Sequence, residues 1–423
     1  MHGAWRFRWI IAGLLFFASA LSFFDRQVLS VLAPTILADL KMTNVEYSNA
    51  VAAFTLAYSI MFTVGGRFID HVGTRFGLGL LVVFWTVSSL LHSVTANSGQ
   101  LTAFRFLLGI GEGGCFPGAA KGVLEWFPAR ERALAMGVAT TGGSAIGGVL
   151  APPIIVWIAT TLGWRGAFLA TGIAGAIWLA VWFAIYHVPS ESPLVSSAER
   201  SDILAGQAPI TAASQRPWPL ARLLSRRDVW GFTATRFLLD PVFYFYMFWI
   251  PQYLHRERGA SLDEIGRLTW IPFFTLGVSS LLGGAISDAL VRRGWPITRA
   301  RKVIMAASAL LTPVSILALY TPNSLWAVIL LGVLMFAHGF WMTNFMTLIG
   351  DRFPASSVGT VVGLTGTAGG IGGFLSSLMI GRFVEAYSFG PAFVVCGLLY
   401  PIGLVIILLT VPEVKSVQEY VEA

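Results

Sequence analysis

Apolar residues run along this 423-residue chain in long blocks separated by short polar breaks. The blocks fall at roughly 8–38, 47–69, 74–95, 99–124, 132–160, 164–187, 229–256, 262–288, 300–321, 324–350, 356–386 and 389–411. Each reaches the roughly 20 residues that a helix needs to cross a bilayer. The pattern predicts an all-α membrane protein of twelve transmembrane helices. Arg6 and Arg8 precede the first block as they would in a signal peptide, but the block is too long and carries Asp25 and Arg26 in its middle, so it reads as helix 1. The longest polar stretch, rich in Ser, Pro and charge, divides the chain into a six-helix bundle over 1–187, a cytoplasmic linker over 188–228 and a second six-helix bundle over 229–423.

The two halves echo each other. Phe127-Pro128-Ala129 followed by Gly137, Thr141, Gly143 and Gly147 returns, at one constant displacement, as Phe353-Pro354-Ala355 followed by Gly363, Thr367, Gly369 and Gly373. Gly66 with Asp70 after helix 2 returns as Gly284 with Asp288 after helix 8. Echoes at equivalent helix ends predict two pseudo-symmetric bundles, with a substrate site between them near the midplane. Gly-x-x-x-Gly spacing is read as close helix packing, which lets helices 5 and 11 approach their neighbours. Gly66, Asp70, Gly73 and Arg75, with Asp288, are read as a gating latch in which an acid at a helix end pairs with a loop Arg and glycine permits the turn.

Composition narrows the class. With 56% hydrophobic and only 12% charged residues, the chain lacks the surface charge of a soluble protein. The net charge of +7 is explained by topology and does not call for a nucleic-acid partner. Arg292, Arg293, Arg299, Arg301 and Lys302 between helices 8 and 9 mark the cytoplasmic side, which puts both termini there. Cys115 and Cys396 lie in apolar stretches and form no metal or disulfide motif. No nucleophile elbow or His-x-x-x-His appears in a supporting context, so an enzyme, a metal site and a cofactor are not expected.

A few ions remain inside the blocks. Asp25 and Arg26 lie in helix 1, Arg105 and Glu112 in helix 4, Arg236 and Asp240 in helix 7, while helix 10 carries His338, Trp341 and Asn344. These helices are the first members of four three-helix repeats, which symmetry places around one cavity. A charge at the bilayer centre costs about 3 kcal/mol or more, so these groups line water or pair. Arg236 and Asp240 are one turn apart, which leaves an ion pair and a ligand role both open. Arg105 and Glu112, two turns apart, suit the two flanks of a bound molecule, and Arg26 completes a cationic site. Arginine offers a planar fork to a carboxylate and keeps its charge, so Arg26, Arg105 and Arg236 are the substrate-binding candidates. Asp25 and Glu112, acids without an evident sequence partner, are the proton-coupling candidates. Trp341 and Asn344 offer a ring wall and an amide to a hydroxylated ring; His338 is read equally as a relay or as a hydrogen-bonded core residue. Tyr58, Tyr244, Ser144 and Thr367 are further lining candidates.

The two-half repeat and the Gly66 to Arg75 motif resemble the major facilitator superfamily over almost the whole chain. Asp25-Arg26-Gln27, Leu32-Ala33-Pro34, Gly111-Glu112-Gly113, Phe116-Pro117, Lys121 and Glu125-Trp126-Phe127-Pro128 resemble its anion:cation symporter branch. Within it, His338, Trp341, Asn344 and the run from Val358-Gly359 to Gly372-Gly373 are most similar to hexuronate transporters. The resemblance implies a bacterial inner-membrane importer of a sugar acid that moves with protons by alternating access. It also implies that Arg26 holds the substrate carboxylate while Asp25 and Glu112 handle protons. Cys115, Thr55, Thr141 and Ala145 stand where such sequences tend to carry amides. Fewer amides give fewer partners for substrate hydroxyls, so a less hydroxylated or aromatic carboxylate is the alternative. The expected partners are a small carboxylate, protons and lipid, and a monomer is expected.

Overall fold

Unbroken apolar runs in lipid must satisfy their backbone internally, and the chain does so with helices. The computed structural model describes residues 7–128, 131, 135–205, 218–353 and 355–413, and among these there is no strand. Ala129 and Pro354 of the repeated signal, and residues 206–217 of the linker, lie outside the described residues. The helices are α1 (Arg8–Val31), α2 (Ala33–Leu40), α3 (Asn44–Val72), α4 (Thr74–His92), α5 (Ser98–Glu112), α6 (Cys115–Trp126), α7 (Gly143–Ile185), α8 (Ser197–Ala205), α9 (Leu220–Leu224), α10 (Arg227–Arg258), α11 (Leu262–Leu268), α12 (Trp270–Arg292), α13 (Ile297–Leu311), α14 (Ser324–Arg352), α15 (Ala355–Ala386) and α16 (Gly390–Thr410). A π-helical turn over Gly137–Gly142 leads into α7, and a 3-10 segment over Thr312–Tyr320 extends α13.

Nine of the described helices are long and apolar enough to span a bilayer, against the twelve spans expected. The difference has local causes. The fourth block breaks at Gly113 and Gly114 into α5 and α6, each shorter than a span. The seventh, α10, carries Arg236 and Asp240 with charged ends. The fifth and sixth run together in α7, where Gly163 at φ 72° marks the turn between two spans.

The chain forms two compact units, one of residues 1–42 with 53–210 and one of 43–52 with 211–423. In the first, α1 and α4 pack on α7; in the second, α10 packs on α15 and α12 on α14. The repeated glycines explain the closest of these contacts. A Cβ at Gly143 would strike the Phe16 carbonyl of α1, and one at Gly147 would lie 2.6 Å from the Ala20 carbonyl. In the second unit a Cβ at Gly369 would strike the Asp240 carboxylate, and one at Gly372 the Phe237 carbonyl, both on α10. Gly137 and Gly363, at the other end of each motif, meet nothing within 4 Å. Gly143→Ala is therefore expected to cost about 1–3 kcal/mol in stability, while Gly137→Ala is tolerated. Equal thermal unfolding of the two variants would refute the packing role.

The start of α1 is capped by the linker. Glu199 of α8 accepts the Phe7 and Arg8 backbone N–H groups at 2.9 and 3.1 Å. The Arg8 side chain, 1% exposed, pairs with Glu199, Asp202 and Glu131 at 3.1, 2.6 and 3.4 Å. A carboxylate at a helix N-terminus also complements the dipole.

Candidate functional site

In the first unit the intramembrane ions meet around Arg26. Its Nε donates to Glu112 Oε2 at 2.7 Å and its Nη2 to Ser22 Oγ at 3.0 Å. Ser22, one turn before Arg26 on α1, also donates to Glu112 Oε2 at 3.0 Å, so serine, arginine and glutamate form a closed triad. The guanidinium carbon lies 4.3 Å from the Tyr58 ring centroid, 5.1 Å from Phe23 and 5.6 Å from Phe54. Ring faces attract a cation, and these three wall Arg26 with aromatic surface. Arg26 is 5% exposed and Glu112 fully buried.

Glu112 therefore has a cationic partner, which corrects its reading as an acid without one. The signal was spatial: Arg26 and Glu112 sit on different helices, and no spacing links them. Glu112 Oε1 accepts no hydrogen bond within the protein. Neither oxygen of Asp25 does either, although the carboxylate is 1% exposed and lies near the Thr171 and Ser89 hydroxyls. Arg105, completely buried on α5, places its guanidinium 4.6 Å from the Phe54 ring and within electrostatic reach of Asp25 and Glu112. Gly109, Gly111 and Gly113 let this stretch lie against α3 and α4, since a Cβ at Gly109 would be 3.0 Å from the Tyr58 nitrogen and one at Gly111 2.6 Å from the Trp85 nitrogen.

In the second unit Arg236 and Asp240 form a two-pronged ion pair on α10, with Nε 2.9 Å from Oδ1 and Nη2 2.6 Å from Oδ2. Of the two roles left open by their spacing, the structure shows the pair. His338 Nδ1 lies 2.5 Å from the Tyr400 hydroxyl, and its ring stacks on Phe243 at 5.1 Å. Tyr400, absent from the sequence reading, also meets Trp341 edge-on at 5.5 Å. Asn344 spends its amide protons on the Gly283 and Phe340 carbonyls, at 3.2 and 2.9 Å, leaving Oδ1 without a protein partner. Tyr244 stacks on Phe248 at 6.4 Å, Ser144 donates to the Thr140 carbonyl at 2.8 Å, and Thr367 is exposed.

The latch differs from its expected pairing. Asp70 pairs with Lys121 of α6 at 3.0 Å, whereas Arg75 donates to the Phe183 carbonyl at 2.7 Å. Arg75 lies in the first turn of α4 and bonds to α7, while Lys121 also donates to the Ile69 carbonyl. Gly73, at φ 86°, makes the turn, and a Cβ at Gly66 would lie 3.4 Å from the Pro117 side chain. Asp288 pairs with Arg301 at 2.6 Å, and the same guanidinium reaches Asp351 at 3.2 Å.

A further ion pair closes the opposite end of the first unit. Asp39 on α2 accepts from Arg165 Nη1 at 2.8 Å and Trp164 Nε1 at 3.0 Å. Those donors, Arg165 first, hold its carboxyl below the usual range. The depressed value means that the pair adds stability above about pH 4 and loses it as pH falls through the lowered folded value. The gap in thermal stability between wild type and Asp39→Asn should therefore narrow on acidification below about pH 4. A gap constant with pH would exclude the pair as its source.

A sequence model of the Major Facilitator Superfamily matches residues 15–377, with a further match over 299–421. The chain is 29% identical to the hexuronate transporter of Escherichia coli K12 over 418 residues, 97% of this chain and 96% of that one. It is likewise 29% identical to the D-galactonate transporter of Escherichia coli O6:H1, over 97% of each chain. Among solved structures it superimposes on the D-xylose-proton symporter with a TM-score of 0.77 at 14% identity, covering 96% of this chain and 98% of the other. A bacterial homologue of the human lysosomal transporter Spinster, inward-facing and occupied, gives a TM-score of 0.74 at 19% identity, with 96% of each chain covered. These structural likenesses carry the fold.

Proposed function

Because the chain belongs to the Major Facilitator Superfamily and is a multi-pass membrane transporter, we propose that it imports a hexuronate or related sugar acid by proton symport, with both termini cytoplasmic. The observation that carries this reading is the 2.7 Å bond between Arg26 and the fully buried Glu112. A substrate carboxylate that takes the Nε edge of the Arg26 fork displaces Glu112, which accepts from that nitrogen. A carboxylate deprived of its partner in a dry interior is costly, and taking a proton removes that cost. Substrate and proton thereby load together. Arg105 adds positive charge nearby, and Asp25 supplies a second acid in the same bundle. In the second half, Arg236, His338, Trp341, Asn344, Tyr244 and Thr367 are assigned to the substrate-binding surface, as are Tyr58 and Ser144 in the first. Gly66, Asp70, Gly73, Arg75 and Asp288 are assigned to gating through the charged contacts at helix ends.

The names of the similar transporters support a sugar acid as cargo. One observation favours a second reading, a less hydroxylated or aromatic carboxylate: Phe23, Phe54 and Tyr58 surround Arg26 with apolar ring surface. Thermal stabilisation of the purified protein by a panel of hexuronates, aldonates and aromatic acids separates the two. Hexuronates are expected to shift the unfolding temperature most; a shift given only by aromatic acids would replace the cargo, and none from any acid would overturn the carboxylate site.

A further inference from the structure

Buried polar groups are almost always hydrogen-bonded, to protein or to ordered water. Along one face of α4 the first unit departs from protein satisfaction five times. Trp85 Nε1, Thr86 Oγ1, Ser89 Oγ, His92 Nε2 and, at the turn beyond, Thr95 Oγ1 are buried and bond to no protein atom. At 1.5 Å per residue the series spans about 15 Å. Its inner part faces Asp25, both of whose oxygens lack a protein partner and which lies beside Ser89 and Thr171. Its outer part ends at the α4–α5 turn, where Val94 is 66% exposed and Arg165 covers the Thr95 carbonyl at 2.9 Å. That end lies opposite the one where α1 begins at Arg8.

His92 occupies the middle of this series. Its ring is fully buried, stacked on Phe168 at 4.7 Å with Phe104 at 5.9 Å. Nδ1 is 2.6 Å from the Ser88 carbonyl, which accepts only, so Nδ1 carries the proton and Nε2 the lone pair. The lone pair thus belongs to the nitrogen that has no protein partner. The charged groups around the ring are Arg105 from α5 and, beyond it, Asp25 from α1; α7 presents Phe168 and Thr171, with Arg165 at its bend.

We propose that waters hydrating this series form a proton path through the first unit, from the α4–α5 turn to Asp25, with His92 Nε2 as its relay. A hydronium on the outer side loses its proton to Nε2, breaking an O–H bond and forming an N–H bond on a transient imidazolium. The same N–H bond then breaks toward the inner water, which passes a proton to an Asp25 oxygen; the ring returns to its neutral form and Asp25 becomes a carboxylic acid. Nδ1 keeps its proton throughout, so Nε2 both accepts and releases. The path loads Asp25 without using the donors of Arg26. This inference rests on the proton-symport reading.

Two measurements on the full chain test it. In purified protein without substrate, the carboxylic C=O band assigned to Asp25 by difference against Asp25→Asn is followed by infrared spectroscopy after transfer to D₂O. His92→Phe keeps the stack on Phe168 and removes the lone pair; it should slow deuteration about tenfold or more. His92→Gln keeps a donor for Ser88 but takes up no proton, and should slow it similarly. Unchanged rates in both variants overturn the path, and slowing in Phe alone overturns the relay while leaving water to carry the proton. A variant that fails to fold is replaced in this reading by the other. In proteoliposomes with D-glucuronate as probe, His92→Phe should lose gradient-driven accumulation and keep counterflow exchange. Equal loss of both with an unchanged unfolding temperature assigns His92 a structural role. Wild type that accumulates the probe equally without a proton gradient refutes symport itself, an outcome recognisable without any His92 variant.

Discussion

Replacing Arg26 with alanine is expected to bring uptake to background and to destabilise the protein, the largest combined effect of any single change considered for this chain. Two physical costs add. The substrate loses its planar, permanently charged fork, and truncating one side of a buried charged hydrogen-bond pair costs about 2–5 kcal/mol, or about 30- to 4000-fold in affinity. Glu112, fully buried at 2.7 Å from the missing Nε, is left without its cation. Breaking a buried pair from one side costs about 3–5 kcal/mol in stability. Arg26→Lys keeps the charge over the Tyr58 ring but loses the fork, so it should fold better than Arg26→Ala and still transport poorly. The double variant Arg26→Ala with Glu112→Gln removes the stranded charge and should recover much of the unfolding temperature without recovering uptake. That split between stability and transport is the informative readout. If Arg26→Ala transports at the wild-type rate, the carboxylate hook lies elsewhere.

What the sequence reveals about this site is its ingredients. Charges inside apolar runs are visible without a structure because lipid makes them conspicuous, and so Asp25, Arg26, Arg105, Glu112, Arg236 and Asp240 are found by position alone. The repeated glycines are legible for a similar reason: the motif predicts close approach, and Gly143, Gly147 and Gly369 meet α1 or α10 where it requires. Partner choice is what the linear pattern leaves out. Arg236 and Asp240 share one helix, and their i,i+4 spacing contains the answer. Arg26 and Glu112 lie on separate helices, and the serine that joins them, Ser22, looks like any other small residue of α1. Asp70 has a nearby Arg75 in sequence but takes Lys121, which α6 brings alongside. The capping of α1 by Glu199 is equally invisible, since it depends on the linker folding back. The series along α4 is not legible in the sequence, because Ser, Thr, His and Trp at helical spacing are ordinary in a membrane helix. Only their burial together, without protein partners, distinguishes them.

Glu112→Gln is expected to separate exchange from accumulation. The amide keeps the shape of the side chain and can still accept from Arg26 Nε and Ser22 Oγ, so the site remains assembled around Arg26. It neither carries the charge that competes with a substrate carboxylate nor takes up a proton. Counterflow of labelled against unlabelled substrate requires no net proton movement and should continue near the wild-type rate. Accumulation driven by a pH gradient should fall by about 100-fold, the scale of removing a proton-transferring group. The pH dependence of uptake should flatten with it, because Glu112 no longer changes charge. Stability gives an independent check through the contrast with Asp25. Glu112 is the anion of a buried pair, so neutralising it leaves Arg26 without its counter-ion and should lower the unfolding temperature. Asp25 accepts no hydrogen bond from the protein, so Asp25→Asn removes a buried carboxylate rather than breaking a bond and should leave the unfolding temperature unchanged or raise it. Loss of counterflow and accumulation in equal measure in Glu112→Gln would make the residue a structural brace for Arg26, and the coupling would then fall to Asp25.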